Sequence, residues 1–335
     1  MQAVVTGATG FLGRRLVQSL CDDGCAVRCL VRPSSDLSAL RRDLAPHWSR
    51  IDVRRVPLDN RDACRDELNR GDILFHLAAG LTGSASTLFL NTVIPTRALL
   101  SAAADAEVGR VVLVSSLGVY GTSQLGRGDT LTEETPLESQ PQLRDPYTFS
   151  KVVQESVAAE TREQRGLPLV VIRPGVIFGP GRGVLSSRVG LQLGNILVRM
   201  GGTQTLPYTY VDNCASAIRQ AGFAQGIEGQ ALNVIDDDLP TAAQLLRRLA
   251  RRKQKPRTVW VPGACIGPLS GLYEWYHRYS KGQVPGVITR YRSSALWKPL
   301  KYSNARAKQH LGWTPTISFH EAFERATSEN GQNRR

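Results

Sequence analysis

The chain has 335 residues, of which 41% are hydrophobic and 21% are charged, and its formal net charge is +13. That length can bury a sizeable core and fits one large domain or two lobes better than a string of modules. The composition is ordinary and free of repeats, which excludes a disordered chain and a repeat array. No apolar run approaches a membrane span, and a glycine-rich loop beginning at Gly7 leaves no room for a cleaved leader. We therefore expect a cytoplasmic protein.

Cysteines, histidines and the basic residues narrow the chemistry further. The six cysteines lack paired C-x-x-C spacing and the five histidines stand singly, so we expect reduced structural thiols and no metal site. Seven Lys or Arg residues fall within 247–257. A polyanion, a membrane surface or an anionic ligand would benefit from this charge, but we favour a solvated helix face with a basic loop. Because a charge run alone fixes no ligand, we expect no nucleic-acid partner.

The first half of the chain alternates strand and helix patterns. Short apolar runs predict strands at 3–6, 27–31, 51–56, 73–77 and 111–114. Leucines recurring every four residues predict a first helix followed by Gly24, and the Leu- and Ala-rich segment 88–104 predicts a crossover helix. Strands alternating with helices imply a parallel sheet covered on both faces. Right-handed crossovers make this a doubly wound α/β sheet, the Rossmann fold.

Beyond the fifth strand, the pattern indicates where this sheet ends. A long helix is predicted over 147–165, ending near Gly166, with a strand at 169–172. After Gly181 the alternation loosens and prolines and glycines separate shorter elements. We expect 1–180 to form the Rossmann-fold domain and 206–238 to return to it. The ranges 181–205 and 239–335 then form a smaller C-terminal substrate lobe.

The loop between the first strand and the first helix has the composition of a phosphate cradle. Glycines stand at 7, 10 and 13, with Phe11 and Leu12 between the last two. They permit a tight turn and let backbone N–H groups and the helix dipole face a pyrophosphate. A structural turn would use the same residue type, but the position at the first strand–helix junction favours a dinucleotide site.

The end of the second strand bears on the choice of dinucleotide. An acid there would bind the ribose 2′-hydroxyl, whereas a cation would accept a 2′-phosphate. The sequence places Arg32 there, followed by Ser34 and Ser35, with no carboxylate. We therefore expect NADP as cofactor, with NAD as the alternative.

A phenol and an ammonium recur one helical turn apart in the predicted long helix. Tyr147 and Lys151 are separated by four residues and so share a face. A tyrosine ordinarily titrates near pH 10, so it needs nearby positive charge to act as a general acid or base near neutrality. Ser116, at the end of a strand, can hold the substrate oxygen while hydride moves to or from a nicotinamide. The three residues predict an oxidoreductase acting on a small molecule.

These motifs together resemble the extended short-chain dehydrogenases/reductases, the superfamily of nucleotide-sugar epimerases and dehydratases, dihydroflavonol-type reductases and 3β-hydroxysteroid dehydrogenases. The resemblance covers most of the chain. Its segments are Thr6 to Gly13, Phe75 to Ala79, Asn91 in its helix, Val114 to Gly121, Tyr147 to Lys151, Ile172 to Pro180, Tyr210 to Asp212 and Ala307 to Trp313.

The resemblance implies roles for individual residues. It makes Ser116, four residues before Tyr120, the catalytic serine rather than Ser115. It implies a homodimer through the helices around Asn91 and Tyr147. The further cofactor contacts that it implies are Asp59 and Asn60 for adenine, Leu77, Ala78, Ala79 and Asn91 along the cofactor, and Pro174 and Gly175 near nicotinamide.

The sequence departs from the dehydratases after the catalytic hydroxyl. Relatives that expel water carry an acidic pair there, whereas Leu117 and Gly118 follow Ser116 here. Neither residue can transfer a proton, so elimination is not expected.

A second departure weakens the epimerase interpretation. Val176 and the pair Leu206 and Pro207 stand where epimerases commonly place an asparagine and an Arg-Asp pair for the substrate diphosphate. A buried diphosphate would need such polar partners. Arg290 and Arg292 stay available as phosphate clamps, which keeps the epimerase alternative open.

The apolar stretch 173–180 and the segment 229–238 look more like the 3β-hydroxysteroid dehydrogenase branch. An aromatic-rich segment at 272–279 suits either ordinary helix packing or the wall of a binding site. We therefore expect an NADP-preferring reductase or dehydrogenase. The alternatives are a nucleotide-sugar 4-epimerase with retained NAD and a non-catalytic dinucleotide-binding or RNA-associated regulator that uses its basic surface.

Overall fold

The computed structural model describes residues 2–280, 283 and 288–328. The strands are β1 (Ala3–Thr6), β2 (Val27–Val31), β3 (Ile51–Arg55), β4 (Ile73–His76), β5 (Arg110–Val114), β6 (Thr130–Leu131), β7 (Leu169–Pro174), β8 (Val176–Phe178), β9 (Gly190–Leu193), β10 (Ile196–Met200), β11 (Tyr208–Tyr210), β12 (Ala231–Val234), β13 (Arg257–Val261) and β14 (Lys301–Tyr302). The helices are α1 (Phe11–Asp22), α2 (Ser38–Asp43), α3 (Arg61–Arg65), α4 (Ala85–Asp105), α5 (Pro146–Arg165), α6 (Val211–Phe223), α7 (Ala242–Arg251), α8 (Gly263–Tyr279), α9 (Arg290–Trp297), α10 (Ala305–Leu311) and α11 (Phe319–Thr327).

A seven-stranded sheet in the order β12-β7-β5-β4-β1-β2-β3 organises the molecule, and its neighbouring strands pair in parallel. This confirms the predicted doubly wound fold. In the sheet, Thr6 at the end of β1 stands beside Leu30 of β2 and His76 of β4. The carboxyl ends of these strands meet at one edge, which is where open α/β sheets bind their ligands.

Capping residues explain where α4 begins and where α5 begins and ends. The Ser84 side chain accepts a hydrogen bond from the Thr87 amide, so α4 begins three residues before the predicted helix. In α5, Asp145 caps the Thr148 amide, Pro146 occupies the first turn, and Gly166 ends the helix in the left-handed region at φ 66°. The predicted span of 147–165 is confirmed to within one residue.

Two apolar cores fill the faces of the sheet. One face packs against α1 and α6, and the same core takes in Leu245 of α7, Ala307 of α10 and Phe323 of α11. The other face packs against the helices on the α4 side, with Leu99 and Ala158 among its buried residues. The cysteines are all free thiols, and burial raises the pKa of Cys29 to about 12.

A smaller sheet lies outside the main one. Its strands pair in the order β13-β10-β9, and Met200, Ile266 of α8 and Trp297 of α9 form its buried cluster. Among the residues that the structure describes, no helix is long and apolar enough to cross a membrane. Across the same residues, no group of three or more His, Cys, Asp or Glu side chains is arranged to hold a metal ion.

Candidate active site

A cleft of about 1840 Å³ opens at the carboxyl edge of the seven-stranded sheet. Ser116, Tyr147 and Lys151 line it. The predicted cofactor residues that also line it are Gly7, Gly10, Phe11, Leu12, Gly13, Arg32, Asp59, Leu77, Ala78, Ala79, Asn91, Pro174 and Gly175. Asn60 lies outside this lining, because its side-chain oxygen caps α3 by accepting from the Ala63 amide at 3.0 Å. The structure therefore brings all but one of the predicted positions into one cleft.

The glycine loop is packed so closely that side chains do not fit. Gly7 has φ 72°, and a Cβ there would lie 2.8 Å from the Ala78 amide nitrogen. A Cβ on Gly13 would lie 2.1 Å from the Gly7 carbonyl oxygen. No side chain caps the start of α1 at Gly10, and its first turn holds no acidic residue. The N–H groups at the start of α1 are thus suited to a pyrophosphate.

The far end of the cleft contains the residues predicted to meet the adenosine ribose. Arg32 is exposed, and its guanidinium donates a long hydrogen bond, 3.4 Å, to the Asn91 side-chain oxygen. Across the described ranges, no carboxylate forms an ion pair with Arg32. Arg55, which sequence reasoning did not single out, donates to the carbonyl oxygens of Pro33 and Ser35 and holds the loop after β2 in place.

Ser116 and Tyr147 meet at the base of the cleft. Ser116 follows β5 and is half-buried, and its hydroxyl accepts from the Gly118 amide at 3.1 Å. Burial raises the pKa of Tyr147, while a hydrogen bond with Ser116 and the positive charge of Arg182 act in the opposite direction. At neutral pH the phenol is therefore protonated and can donate a proton to a substrate oxygen.

Lys151 is almost completely buried one turn further along α5. Its Nζ donates to the Val114 carbonyl oxygen at 2.9 Å and to the Gln154 side-chain oxygen at 2.8 Å. Burial lowers the pKa of Lys151 to about 8, opposed by the charge of Glu155. The ammonium is thus fixed by two acceptors.

A chain of buried hydrogen bonds continues from Lys151 to the glycine loop. The Gln154 amide donates to Thr96 Oγ1 at 2.8 Å, and Thr96 donates in turn to a carbonyl in its own helix at 2.6 Å. Thr96 therefore accepts from His76 Nε2 at 2.8 Å, and His76 Nδ1 accepts from the Thr6 hydroxyl at 2.8 Å. Burial lowers the pKa of His76 to about 3 and keeps the ring neutral.

One buried hydroxyl in the cleft has no partner. Ser115 is only 3% exposed, and its Oγ makes no hydrogen bond to the residues that the structure describes. It lines the cleft beside Val114, whose carbonyl accepts from Lys151. An unpartnered buried hydroxyl is costly unless a ligand supplies the bond. The Ser115 hydroxyl and the N–H groups of the glycine loop are therefore polar partners that suit a bound nicotinamide dinucleotide.

The remaining wall of the cleft combines apolar side chains with cations. Val176 and Pro207 line it, so the positions expected to contact a diphosphate are apolar. Arg182 lies over the Phe11 ring at 5.6 Å, and Arg188 also lines the cleft. Arg290 instead rests against Gly271 of α8, outside the lining.

Arg292 does line the cleft, but its guanidinium donates to the backbone carbonyls of Leu143 and Arg144. Arg290 and Arg292 therefore do not lie together in the cleft as a pair of phosphate-binding residues. Sequence reasoning also missed Arg182 and Gln154. Gln154 follows Lys151 by three residues on one helix face and could have been found, whereas nothing in the sequence brings Arg182 to Tyr147.

Fold and cleft together are those of the extended short-chain dehydrogenase/reductase type. Residues 3–234 match the model of the NAD dependent epimerase/dehydratase family, and the chain belongs to that family. The family recognised from the sequence motifs is thus confirmed.

The proteins similar to this chain include reductases and a sterol demethylase. It is 35% identical to sterol demethylase protein B of Methylococcus capsulatus over 98% of each chain. It is 31% identical to cinnamoyl-CoA reductase 1 of Petunia hybrida over 59% of this chain, a match that spans only 60% of the petunia enzyme. The crystal structure of gox2253 matches 97% of this chain and 96% of its own with a TM-score of 0.79 and 26% identity.

Proposed function

We propose that the protein is an NAD(P)-dependent oxidoreductase that interconverts an alcohol and a ketone on a small, largely apolar substrate. The observation that carries this proposal is the placement of Ser116, Tyr147 and Lys151 in one cleft beside a glycine loop suited to a dinucleotide. When bound, the nicotinamide cofactor would supply or accept the hydride. Ser116 orients the substrate oxygen and Tyr147 exchanges the proton with it.

Lys151 is the third member of the site. Its buried ammonium supports the ribose of the nicotinamide and stabilises the ionised form of Tyr147 as the proton is transferred. The positive charge of Arg182 lowers the pKa of Tyr147, and the negative charge of Asp145 raises it. We propose that Arg182 assists Lys151 in this role.

We propose NADP as the preferred cofactor. Arg32 at the end of β2 is exposed and has no carboxylate partner in the described part of the chain. Ser34 and Ser35 line the same end of the cleft. A guanidinium with two hydroxyls is a suitable receptor for a 2′-phosphate.

We also propose the domain division and assembly expected from the sequence. Residues 1–180 with 206–238 form the dinucleotide-binding domain, and 181–205 with 239–335 form the substrate lobe, which α10 and α11 attach to the large core. Residues 281, 282, 284–287 and 329–335 of that lobe lie outside the described ranges. We propose a homodimer through α4 and α5, supported by the exposed Ile94 on α4, and measurable by light scattering.

We propose that the enzyme works in the cytoplasm, where its free thiols stay reduced. A nucleotide-sugar 4-epimerase with retained NAD is the second candidate, since the family includes epimerases by name. The apolar Val176 and Pro207 in the cleft favour the reductase over that alternative.

The test is substitution of Tyr147 by Phe, combined with identification of any retained cofactor. Tyr147→Phe keeps the ring but removes the transferable proton, so NADPH oxidation with a panel of apolar ketones should be lost while NADPH binding is kept. Mass spectrometry of the purified protein shows whether NAD is retained. A protein that holds tightly bound NAD and consumes none contradicts the reductase proposal. Unchanged cellular function of Tyr147→Phe would instead favour a non-catalytic regulator.

A further inference from the structure

Helix α8 has its apolar side facing outward. Ile266 and Ser270 are buried, and the Ser270 hydroxyl is 2.7 Å from that of Ser293 on α9. At 100° per residue, five exposed side chains fall within an arc of about 120° on the opposite side. This set, called here the α8 stripe, consists of Leu269, Leu272, Trp275, Tyr276 and Tyr279.

The exposure of the α8 stripe is large for side chains of this kind. Its members are between 48% and 72% exposed, and the rings of Trp275 and Tyr279 stack on each other at 5.6 Å rather than on the body of the protein. A contiguous exposed apolar patch marks an interaction surface rather than chance exposure. Indole and phenol side chains favour the boundary between an apolar phase and water.

Positive charge is concentrated in the same part of the chain. Ranges 181–205 and 239–300 contain 15 Lys or Arg residues and one carboxylate, Glu274, whereas the rest of the sequence holds 27 basic and 28 acidic residues. The net charge of the protein therefore resides almost entirely in the segments that include α8. Segments of such charge favour an anionic partner over a second copy of the same chain.

Guanidinium groups flank the α8 stripe along the helix. Arg290 packs against Gly271 in the middle of α8, and Arg127 lies about 4.0 Å from the Cβ position of Gly263 at its start. Arg278 near its end is mostly exposed and pairs with Glu274 at 2.8 Å. Three guanidinium groups thus lie along α8, and one of them pairs with Glu274.

We propose that the protein docks on the surface of an anionic lipid bilayer through the α8 stripe, with the flanking arginines against lipid phosphates. A nucleic acid would match the charge but not the exposed leucines and stacked aromatic rings, whereas an interfacial helix requires both. Through His277 the same helix also lines the cleft, so docking would bring the catalytic cleft to substrates held in the bilayer. The docking itself does not rest on the proposed enzymatic function.

The test measures co-sedimentation of the full-length protein with lipid vesicles. Vesicles of phosphatidylcholine with about 30% phosphatidylglycerol should bind the protein, and vesicles of phosphatidylcholine alone should bind it at least tenfold more weakly. The double variant Leu272→Gln/Trp275→Gln keeps the charge and replaces only exposed side chains, and it should bind at least tenfold more weakly than the unmodified protein. The matched control is Phe223→Gln on α6, an exposed apolar side chain in the nearly neutral part of the chain, which should leave binding unchanged.

Three results would overturn the proposal. The first is absence of binding to anionic vesicles, and the second is equal vesicle binding by the double variant and the unmodified protein. The third comes from light scattering, if the double variant lowers the oligomeric state, because the α8 stripe would then be an interface between copies. Circular dichroism and NADPH binding of the double variant establish that it is folded.

Discussion

The proposed preference for NADP depends on Arg32 and can be tested without knowing the substrate. The Arg32 guanidinium is exposed, and its contact to Asn91 is 3.4 Å long and neutral. Turning the side chain towards a 2′-phosphate therefore loses little interaction energy. A charge-assisted hydrogen bond contributes about 1.5–3 kcal/mol, so Arg32→Ala should weaken NADPH binding about 10- to 100-fold. NADH, which lacks the phosphate, should bind as before.

Fluorescence or calorimetric titration of NADPH and NADH gives the ratio of the two dissociation constants directly. The matched control is Arg54→Ala on β3, because Arg54 is also partly exposed but pairs with Asp52 and lies outside the cleft lining. It should leave the ratio unchanged. If Arg32→Ala also leaves the ratio unchanged, the 2′-phosphate is not recognised by Arg32 and the inference from the end of β2 is wrong.

Three further predictions concern the buried polar groups. Gln154→Leu removes an acceptor from the Lys151 ammonium, so the pKa of Lys151 should fall below about 8, as measured by NMR of labelled lysine side chains. Burial raises the pKa of Asp236 to about 7, above its unfolded value, so this carboxyl stabilises the fold less as the pH rises from about 4 to 7. In urea unfolding, the free energy of unfolding of Asp236→Asn should therefore rise relative to that of the unmodified protein as the pH increases from about 4 to 7, by at most about 4 kcal/mol. A difference between the two proteins that does not change with pH would contradict this. Glu155→Gln leaves the buried Arg173 guanidinium without its carboxylate, which accepts from it at 2.6 and 3.0 Å, and should cost about 3–5 kcal/mol of unfolding free energy. A loss below about 1 kcal/mol would show that Arg173 finds another partner.

Local patterns were sufficient for the elements that surround the cofactor loop. The strand at 3–6, the helix with leucines at every fourth position and the helix over 147–165 depend on nearby residues, and the structure has each of them. Boundaries shifted where a side chain caps the backbone, as Ser84 does for α4. Period and capping are short-range properties, so a single sequence carries them.

The contacts between distant segments could not be obtained in that way. Arg182 lowers the pKa of Tyr147 although the two residues are 35 positions apart in the sequence. Thr96 links Gln154 to His76 by hydrogen bonds, and it precedes Gln154 by 58 positions. Asn60 was expected at the cofactor, and the structure shows that its side chain caps α3. Each of these depends on how helices and loops pack against the sheet, which no periodicity encodes.

The fold class and the place of the glycine loop follow from the sequence alone, because strand–helix alternation and the spacing of the glycines are local properties of the chain. The assignment of Ser116, Tyr147 and Lys151 as the catalytic set is a prediction from their spacing and from the family resemblance. The tertiary structure alone decided the environment of that set. Burial lowers the pKa of Lys151 to about 8 and provides it with Val114 and Gln154 as acceptors. The tertiary structure also decided that the apolar side of α8 faces outward, since helical periodicity shows that a face is apolar but not which way the packed helix turns it.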